Sequence, residues 1–112
     1  MKILCVGTAG FCNSLHLAFD SEQTQVLRAV TLAEACRLVA GTPDIGVIVL
    51  DDRNESLQFA HEVRRTSPVL MYVCSPCENI GSRFVAAGCH SCLPDRRQLA
   101  EALRDATASL CC

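Results

Sequence analysis

Two carboxylates and two pairs of cysteines are the side chains of this 112-residue chain whose types and spacing could support chemistry. Asp51 and Asp52 directly follow the uninterrupted apolar run 45–50 near the middle of the chain. The cysteines form two Cys-x-x-Cys units, Cys74-Ser-Pro-Cys77 and Cys89-His-Ser-Cys92. Carboxylates at the end of a buried segment indicate a polar ligand site, and paired cysteines indicate zinc or a redox dithiol.

The apolar run before Asp51 predicts a strand that is buried on both faces. Such strands belong to parallel sheets covered by helices on both sides. In open sheets of this kind, ligands bind beyond the carboxyl ends of the strands, where helix amino termini also point. The sequence therefore places Asp51 and Asp52 at the edge where chemistry is expected.

Strand-like and helix-like segments alternate five times along the whole chain. The predicted strands are Lys2–Val6, Gln25–Val30, Ile45–Leu50, Val69–Cys74 and Cys89–Leu93, with Gln25–Val30 at an edge. The first predicted helix is Phe11–Asp20, capped by Asn13 or Ser14, and the second runs from Thr31 to Gly41 with the apolar stripe Leu32, Ala35, Cys36 and Val39. The third is Glu55–Thr66, capped by Asn54. The fourth contains Ile80, Phe84 and Ala87 and stops at Gly88, and the fifth is capped by Asp95 with Gln98. The alternation predicts one α/β domain over residues 1–112, a doubly wound five-stranded parallel sheet.

Composition excludes several functional classes. The formal charge is −2, aromatic residues make up 4% of the chain, and the only arginine pairs are Arg64-Arg65 and Arg96-Arg97, so we expect no direct contact with nucleic acid. No segment resembles a signal peptide or reaches membrane-spanning length, which predicts a cytoplasmic location and no membrane contact. The nine cysteines are an odd number, so a complete intramolecular disulfide framework is excluded, and most are expected to be buried thiols.

Three stretches carry a resemblance to a known family. They are Pro43-Asp-Ile-Gly-Val-Ile-Val-Leu-Asp51 with Arg53 beyond it, Pro68-Val-Leu-Met71, and Ala86-Ala-Gly-Cys-His-Ser-Cys-Leu93. With them, nearly the whole chain resembles the receiver domains of bacterial two-component response regulators. The resemblance implies a flavodoxin-like (βα)5 fold with strand order 2-1-3-4-5. It also implies a non-enzymatic role in two-component signal transduction.

The family's functional positions are only partly kept in this chain. Asp51 falls on the aspartate that accepts the phosphoryl group, but the acidic pair that holds Mg2+ in the family is replaced by Gly7 and Thr8. Asp52 could replace one of those carboxylates. The family's hydroxyl residue after the fourth strand falls on Val73, Cys74 or Ser75, of which only Ser75 is a true hydroxyl.

The family's lysine aligns with Asp95, and Arg96 could substitute for it only in part. We therefore interpret the chain as a degenerate, or pseudo-, receiver without a Mg2+ cofactor. By analogy it would bind other signalling proteins or an adjoining effector domain through the fourth helix, fifth strand and fifth helix, which includes Asn79–Phe84, Cys92 and Arg96–Arg104. A homodimer stays open.

Two other functions stay open on the sequence. The first is a working phosphoacceptor at Asp51, modified with the help of Mg2+. The second is a thiol redox or zinc module. In the receiver register Cys89 lies at the far end of its strand, so only Cys74, Cys77 and Cys92 could gather, and Cys74 with Cys77 could form a reducible bond.

Overall fold

Five strands and five helices alternate along the chain in a computed structural model that describes residues 2–110, with side chains for residues 2–106. The strands are β1 (Lys2–Val6), β2 (Gln25–Ala29), β3 (Ile45–Leu50), β4 (Leu70–Cys74) and β5 (Ser91–Leu93). The helices are α1 (Ala9–Phe19), α2 (Leu32–Gly41), α3 (Asn54–Thr66), α4 (Glu78–Ala86) and α5 (Arg96–Leu110).

All strand pairs in the sheet are parallel, and the strand order is β2-β1-β3-β4-β5. This confirms the predicted doubly wound, flavodoxin-like (βα)5 architecture. Val6 pairs with Ala29 on one side and with Leu50 on the other, and Leu50 pairs with Val73. These four strands therefore end at one edge of the sheet, where the loops that follow β1, β3 and β4 meet.

Each face of the sheet has its own apolar core, because alternate side chains of a strand point to opposite faces. Helices α2, α3 and α4 cover one face, where Leu4, Ile48 and Met71 are buried. Helices α1 and α5 cover the other, where Ile3, Val49 and Leu103 are buried. We refer to these as the α2–α4 face and the α1–α5 face.

Two predicted helix caps were wrong. Helix α1 begins at Ala9 and is capped by Thr8, whose hydroxyl accepts a hydrogen bond from Phe11 N at 3.3 Å, so Asn13 and Ser14 lie inside the helix. Asn54 is the first residue of α3 and not its cap. Arg53 occupies the cap position of α3 without a side-chain bond to the helix backbone. Both helices thus start closer to the preceding strand than expected.

The strand boundaries also differ slightly from the prediction. The backbone N–H groups of Cys89 and His90 donate to Phe84 O and Met71 O, so β5 starts only at Ser91. Strand β2 ends at Ala29, before Val30, and β4 starts at Leu70, after Val69. Cys36, which was assigned to the apolar stripe of α2, is exposed.

Three other local predictions were confirmed. Thr31 caps α2 and accepts from Glu34 N at 3.2 Å, and Asp95 accepts from Gln98 N at 2.8 Å at the start of α5. Gly88 follows α4 with a φ of 111°, a conformation that glycine adopts without strain. Cys111 and Cys112, which showed no pattern in the sequence, lie outside the described residues. Within residues 2–110, no helix combines the length and apolar character needed to span a membrane.

Candidate functional site

Asp51 lies at the carboxyl end of β3, where the loop after β1 meets the loop before α3. Its backbone N–H donates to Val6 O at 3.0 Å, which continues the pairing of β1 with β3 by one residue. The residue is buried, with 8% of its surface exposed. A buried carboxylate needs hydrogen-bond donors or a positive partner, because removal from water is costly for a charge.

Three neutral donors from the protein reach the Asp51 carboxylate. Thr8 N donates to Oδ2 at 3.2 Å, and Arg53 N donates to Oδ1 at 3.3 Å. The hydroxyl of Ser56, which is fully buried in the first turn of α3, donates to Oδ1 at 2.5 Å. Both oxygens of the carboxylate are therefore engaged within the protein.

A positive charge also lies against Asp51. The Arg53 Nε is 2.8 Å from Asp51 Oδ2, and the Arg53 Nη2 donates to Val30 O at 2.9 Å. The Nε contact is an ion pair without hydrogen-bond geometry, since Nε has no hydrogen-bond partner among the described residues. Arg53 thus connects the carboxylate to the loop between β2 and α2.

Gly7 leaves no space for a side chain beside Asp51. A Cβ at Gly7 would lie 2.7 Å from Phe11 Cδ2, 3.0 Å from Asp51 Oδ2 and 3.1 Å from Asp51 Cβ. Contacts this short force a neighbour to move, and both neighbours are buried. Thr8, the next residue, uses its hydroxyl to cap α1.

Asp52 and Ser75 form a separate pair next to the Asp51 cluster. The Ser75 Oγ is 3.1 Å from Asp52 Oδ2, and it also accepts from Cys77 N at 3.2 Å. Ser75 is buried directly after β4, whereas Val73 belongs to the core and Cys74 ends the strand. Ser75 is thus the hydroxyl residue directly after β4, but its hydroxyl is directed to Asp52 and not to Asp51.

The residues after β5 make contacts away from Asp51. The Asp95 carboxylate caps α5. The Arg96 Nη1 donates to Ser14 Oγ at 2.8 Å, and its guanidinium carbon lies 6.0 Å from the centre of the Phe11 ring. Arg96 is therefore held against α1, and no described hydrogen bond or ion pair joins it to Asp51.

The side chains around Asp51 do not suit the coordination of a Mg2+ ion. Mg2+ requires hard oxygen ligands, usually one or two carboxylates together with several waters, in a nearly octahedral arrangement. The position of Gly7 cannot hold a carboxylate without movement of Phe11 or Asp51, and the Asp52 carboxylate accepts from Ser75. Arg53 supplies a positive charge at the one carboxylate that remains.

The sequence analysis did not identify Arg53 and Ser56 as site residues. Ser56 could have been found, because it precedes Phe59 by three residues and Ala60 by four, so it lies on the buried face of α3. A buried hydroxyl needs a partner, and Asp51 lies at the carboxyl end of the strand that precedes this helix. Arg53 gave no such signal, since its second contact is with Val30 O, a backbone atom 23 residues earlier.

The cysteines of the two Cys-x-x-Cys units do not share one surface. Cys74 packs on the α1–α5 face, and Cys92 packs on the α2–α4 face. Cys77 is exposed at the start of α4, and Cys89 is buried before β5. Within the described part of the chain, all cysteines are free, and no group of three or more His, Cys, Asp or Glu side chains could hold a metal ion.

The surroundings of Cys74, Cys89 and Cys92 favour the neutral thiol. Burial is the main cause that raises the pKa of Cys74 and of Cys92, and it raises the pKa of Cys89 to about 12. A nucleophilic thiol needs the opposite shift, because the thiolate is the reactive form.

A cleft of about 510 Å³ lies between α4 and the loops that follow β4 and β5. Its floor is formed where α4 approaches β5, since a Cβ at Gly81 would lie 2.9 Å from Cys92 Cβ. The lining residues are Ser75, Pro76, Glu78, Gly81, Ser82, Val85, Cys92 and Pro94. Val85 is 47% exposed at this cleft. The cleft lies on the surface for which the sequence predicted protein contacts.

No protein-family model and no curated protein sequence matches the chain. Solved structures do match it. A two-component response regulator from Clostridium difficile superimposes with a TM-score of 0.83 at 12% sequence identity over 98% of each chain. A response regulator receiver domain protein from Clostridium thermocellum gives a TM-score of 0.75 at 18% identity over 94% of this chain and 92% of that one.

A third similar structure is larger than this chain. It is described as a probable two-component system response regulator/GGDEF domain protein, with a TM-score of 0.83 and 15% identity. The match covers 98% of this chain and 50% of that one. The chain therefore has the fold of response-regulator receiver domains, as its sequence resemblance implied.

Proposed function

We propose that this chain is a receiver-like signalling module that acts by binding other proteins, without Mg2+-dependent phosphorylation of Asp51. The fold supports the signalling role, since the similar structures are receiver domains. The proposed lack of Mg2+-dependent phosphorylation rests on one observation. The Asp51 carboxylate is already paired with the Arg53 guanidinium, 2.8 Å away in the same loop.

The surroundings of Asp51 disfavour phosphoryl transfer for two reasons. Catalysis of phosphoryl transfer depends on positive groups that stabilise the phosphoryl oxygens, and in the family these are a metal ion and a lysine. Here the metal-binding pair is replaced by Gly7 and Thr8, Asp95 stands in place of the lysine, and Arg96 contacts α1. The attacking oxygens of Asp51 are also occupied by donors and largely buried.

Protein binding is the activity that we propose for this module. The cleft beside α4 combines the exposed side chain of Val85 with prolines at positions 76 and 94, which is a surface suited to an apolar anchor of a partner. The similar response regulator/GGDEF domain protein is about twice as long as the segment that matches this chain. We therefore propose a separate signalling protein or an adjoining effector domain as the partner.

The thiol-based alternative has less support. The side chains of Cys74 and Cys92 are on opposite faces of the sheet, and burial raises the pKa of both thiols. A zinc ion needs sulfurs that converge on one point, and a redox dithiol needs a stabilised thiolate. The cytoplasmic location and the absence of enzymatic activity stay predictions from the sequence.

Intact-mass spectrometry after incubation with acetyl phosphate and Mg2+ tests the proposal. We expect no phosphoryl adduct on the wild-type protein, while a phosphorylatable receiver domain treated in parallel gains one. The Asp51→Asn variant is the matched control. An adduct on the wild type that is absent from Asp51→Asn would establish Asp51 as a working phosphoacceptor and refute the proposal. A zinc adduct, or a loss of two hydrogens from untreated protein, would favour the cysteine alternative instead.

A further inference from the structure

The Arg53 side chain is fixed at two points across the Asp51 site. One end of its guanidinium forms the ion pair with Asp51 Oδ2, and the other donates to Val30 O at 2.9 Å. The side chain is 30% exposed, so most of it is enclosed between the two loops that it joins. A long flexible side chain held in this way occupies one defined position, directly against the carboxylate.

The charges of this cluster cancel. Asp51 contributes one negative charge and Arg53 one positive charge, and Gly7 and Thr8 contribute none. The nearest other carboxylate, Asp52, is engaged with the Ser75 hydroxyl. A divalent cation that approaches Asp51 would therefore meet an Asp51–Arg53 pair without net formal charge, with the guanidinium in contact with the carboxylate oxygen and Asp52 as the adjacent carboxylate.

We propose that Arg53 is the resident cation of the Asp51 site, which takes the place of a divalent cation and excludes such ions. The proposal deepens the proposed function, because it gives the reason why Mg2+ would not assist chemistry at Asp51. Displacement of Arg53 by a metal ion would break the ion pair and also the hydrogen bond to Val30 O. The exclusion thus belongs to one side chain and can be removed with it.

Titration with Mn2+, followed by the relaxation of water protons, tests this assignment without any enzymatic readout. We expect no binding by the wild type and a gain in affinity of about tenfold or more in Arg53→Gln, because the repulsion between two positive groups is removed. Arg37→Gln is the matched control, since Arg37 is exposed on α2 and the charge change is identical. Addition of Asp51→Asn to Arg53→Gln should abolish the gain.

Each outcome decides the proposal. Equal affinities of Arg53→Gln and Arg37→Gln for Mn2+ would overturn it. Binding of Mn2+ by the wild type that is lost in Asp51→Asn would overturn it as well, even if Arg53→Gln did not fold. Circular dichroism checks the fold of every variant. A phosphorylated wild type that still excludes Mn2+ would refute the proposed function and leave this assignment intact.

Discussion

Replacement of Gly7 by aspartate should damage the site and not restore it. The substitution places a carboxylate where the family that the sequence resembles has one. The structure predicts steric overlap, because the new Cβ would lie 2.7 Å from Phe11 Cδ2 and 3.0 Å from Asp51 Oδ2. It also predicts charge repulsion, because the new carboxylate would stand next to a buried one.

The expected loss of stability has two parts. Overpacking against two buried neighbours costs about 1–3 kcal/mol. Two like charges about 5 Å apart at an effective dielectric constant of about 20 repel by about 3 kcal/mol, and the nearby Arg53 offsets part of this. We therefore expect Gly7→Asp to lower the free energy of unfolding by about 3–5 kcal/mol. Gly7→Ala should show the steric part alone, about 1–3 kcal/mol.

Urea denaturation followed by circular dichroism measures these differences. The matched control is Gly10→Asp, an identical substitution three residues later, where a Cβ has no neighbour within 4 Å. Because Gly10 lies in the first turn of α1, an aspartate there should be neutral or slightly stabilising. Equal stabilities of Gly7→Asp and Gly10→Asp would refute the reasoning. So would recovery of the whole loss upon addition of Mg2+, because the site would then accept the ion.

Two further predictions concern groups outside the site. Arg64→Ala should lower the free energy of unfolding by about 2–3 kcal/mol more than Arg65→Ala. The reason is that Arg64 donates four hydrogen bonds to the carbonyls of residues 67, 69 and 88, whereas the exposed Arg65 makes one ion pair. Equal midpoints of urea denaturation for the two variants would contradict this. The free energy of unfolding should fall above pH 9, because burial raises the pKa of Cys89 to about 12 in the folded state, and the stability from its protonated thiol is lost as the pH rises from the unfolded-state pKa through that value. Between pH 8 and pH 10, thermal melts should show a loss of stability that is about 1 kcal/mol smaller in Cys89→Ala than in the wild type, and equal losses would contradict the prediction.

Elements with two independent sequence signals were predicted well. Helix α2 was found with both boundaries because Thr31 and Glu34 form a capping pair and Gly41 follows the apolar stripe. Helix α1 was predicted to start at Phe11 with Asn13 or Ser14 as its cap, whereas it begins at Ala9 and Thr8 is the cap. Which residue becomes the cap depends on how sharply the chain turns after β1. Gly7 permits a sharp turn there, and helix propensities alone do not reveal it.

The position of Asp51 was predictable, but its partners were only partly so. A buried strand that ends in a carboxylate fixes the edge of the sheet at which the residue lies. Ser56 follows from the helical period. The orientation of Arg53 depends on Val30 O, which reaches the site only because β2 pairs beside β1. Such contacts between distant segments are set by the three-dimensional fold and leave no local pattern in the sequence.

Several residues at this edge of the sheet differ from the pattern that the sequence resembles, and their contacts are consistent with one another. With no carboxylate at Gly7, Asp51 is paired with the guanidinium of Arg53. After β5, Asp95 caps α5 and Arg96 donates to Ser14. Removal of Arg53 alone should therefore restore cation binding at Asp51, whereas a carboxylate at position 7 also needs new space beside Phe11 and Asp51. The two loops thus limit cation chemistry in different ways, which distinguishes a reorganised site from one that has lost a single ligand.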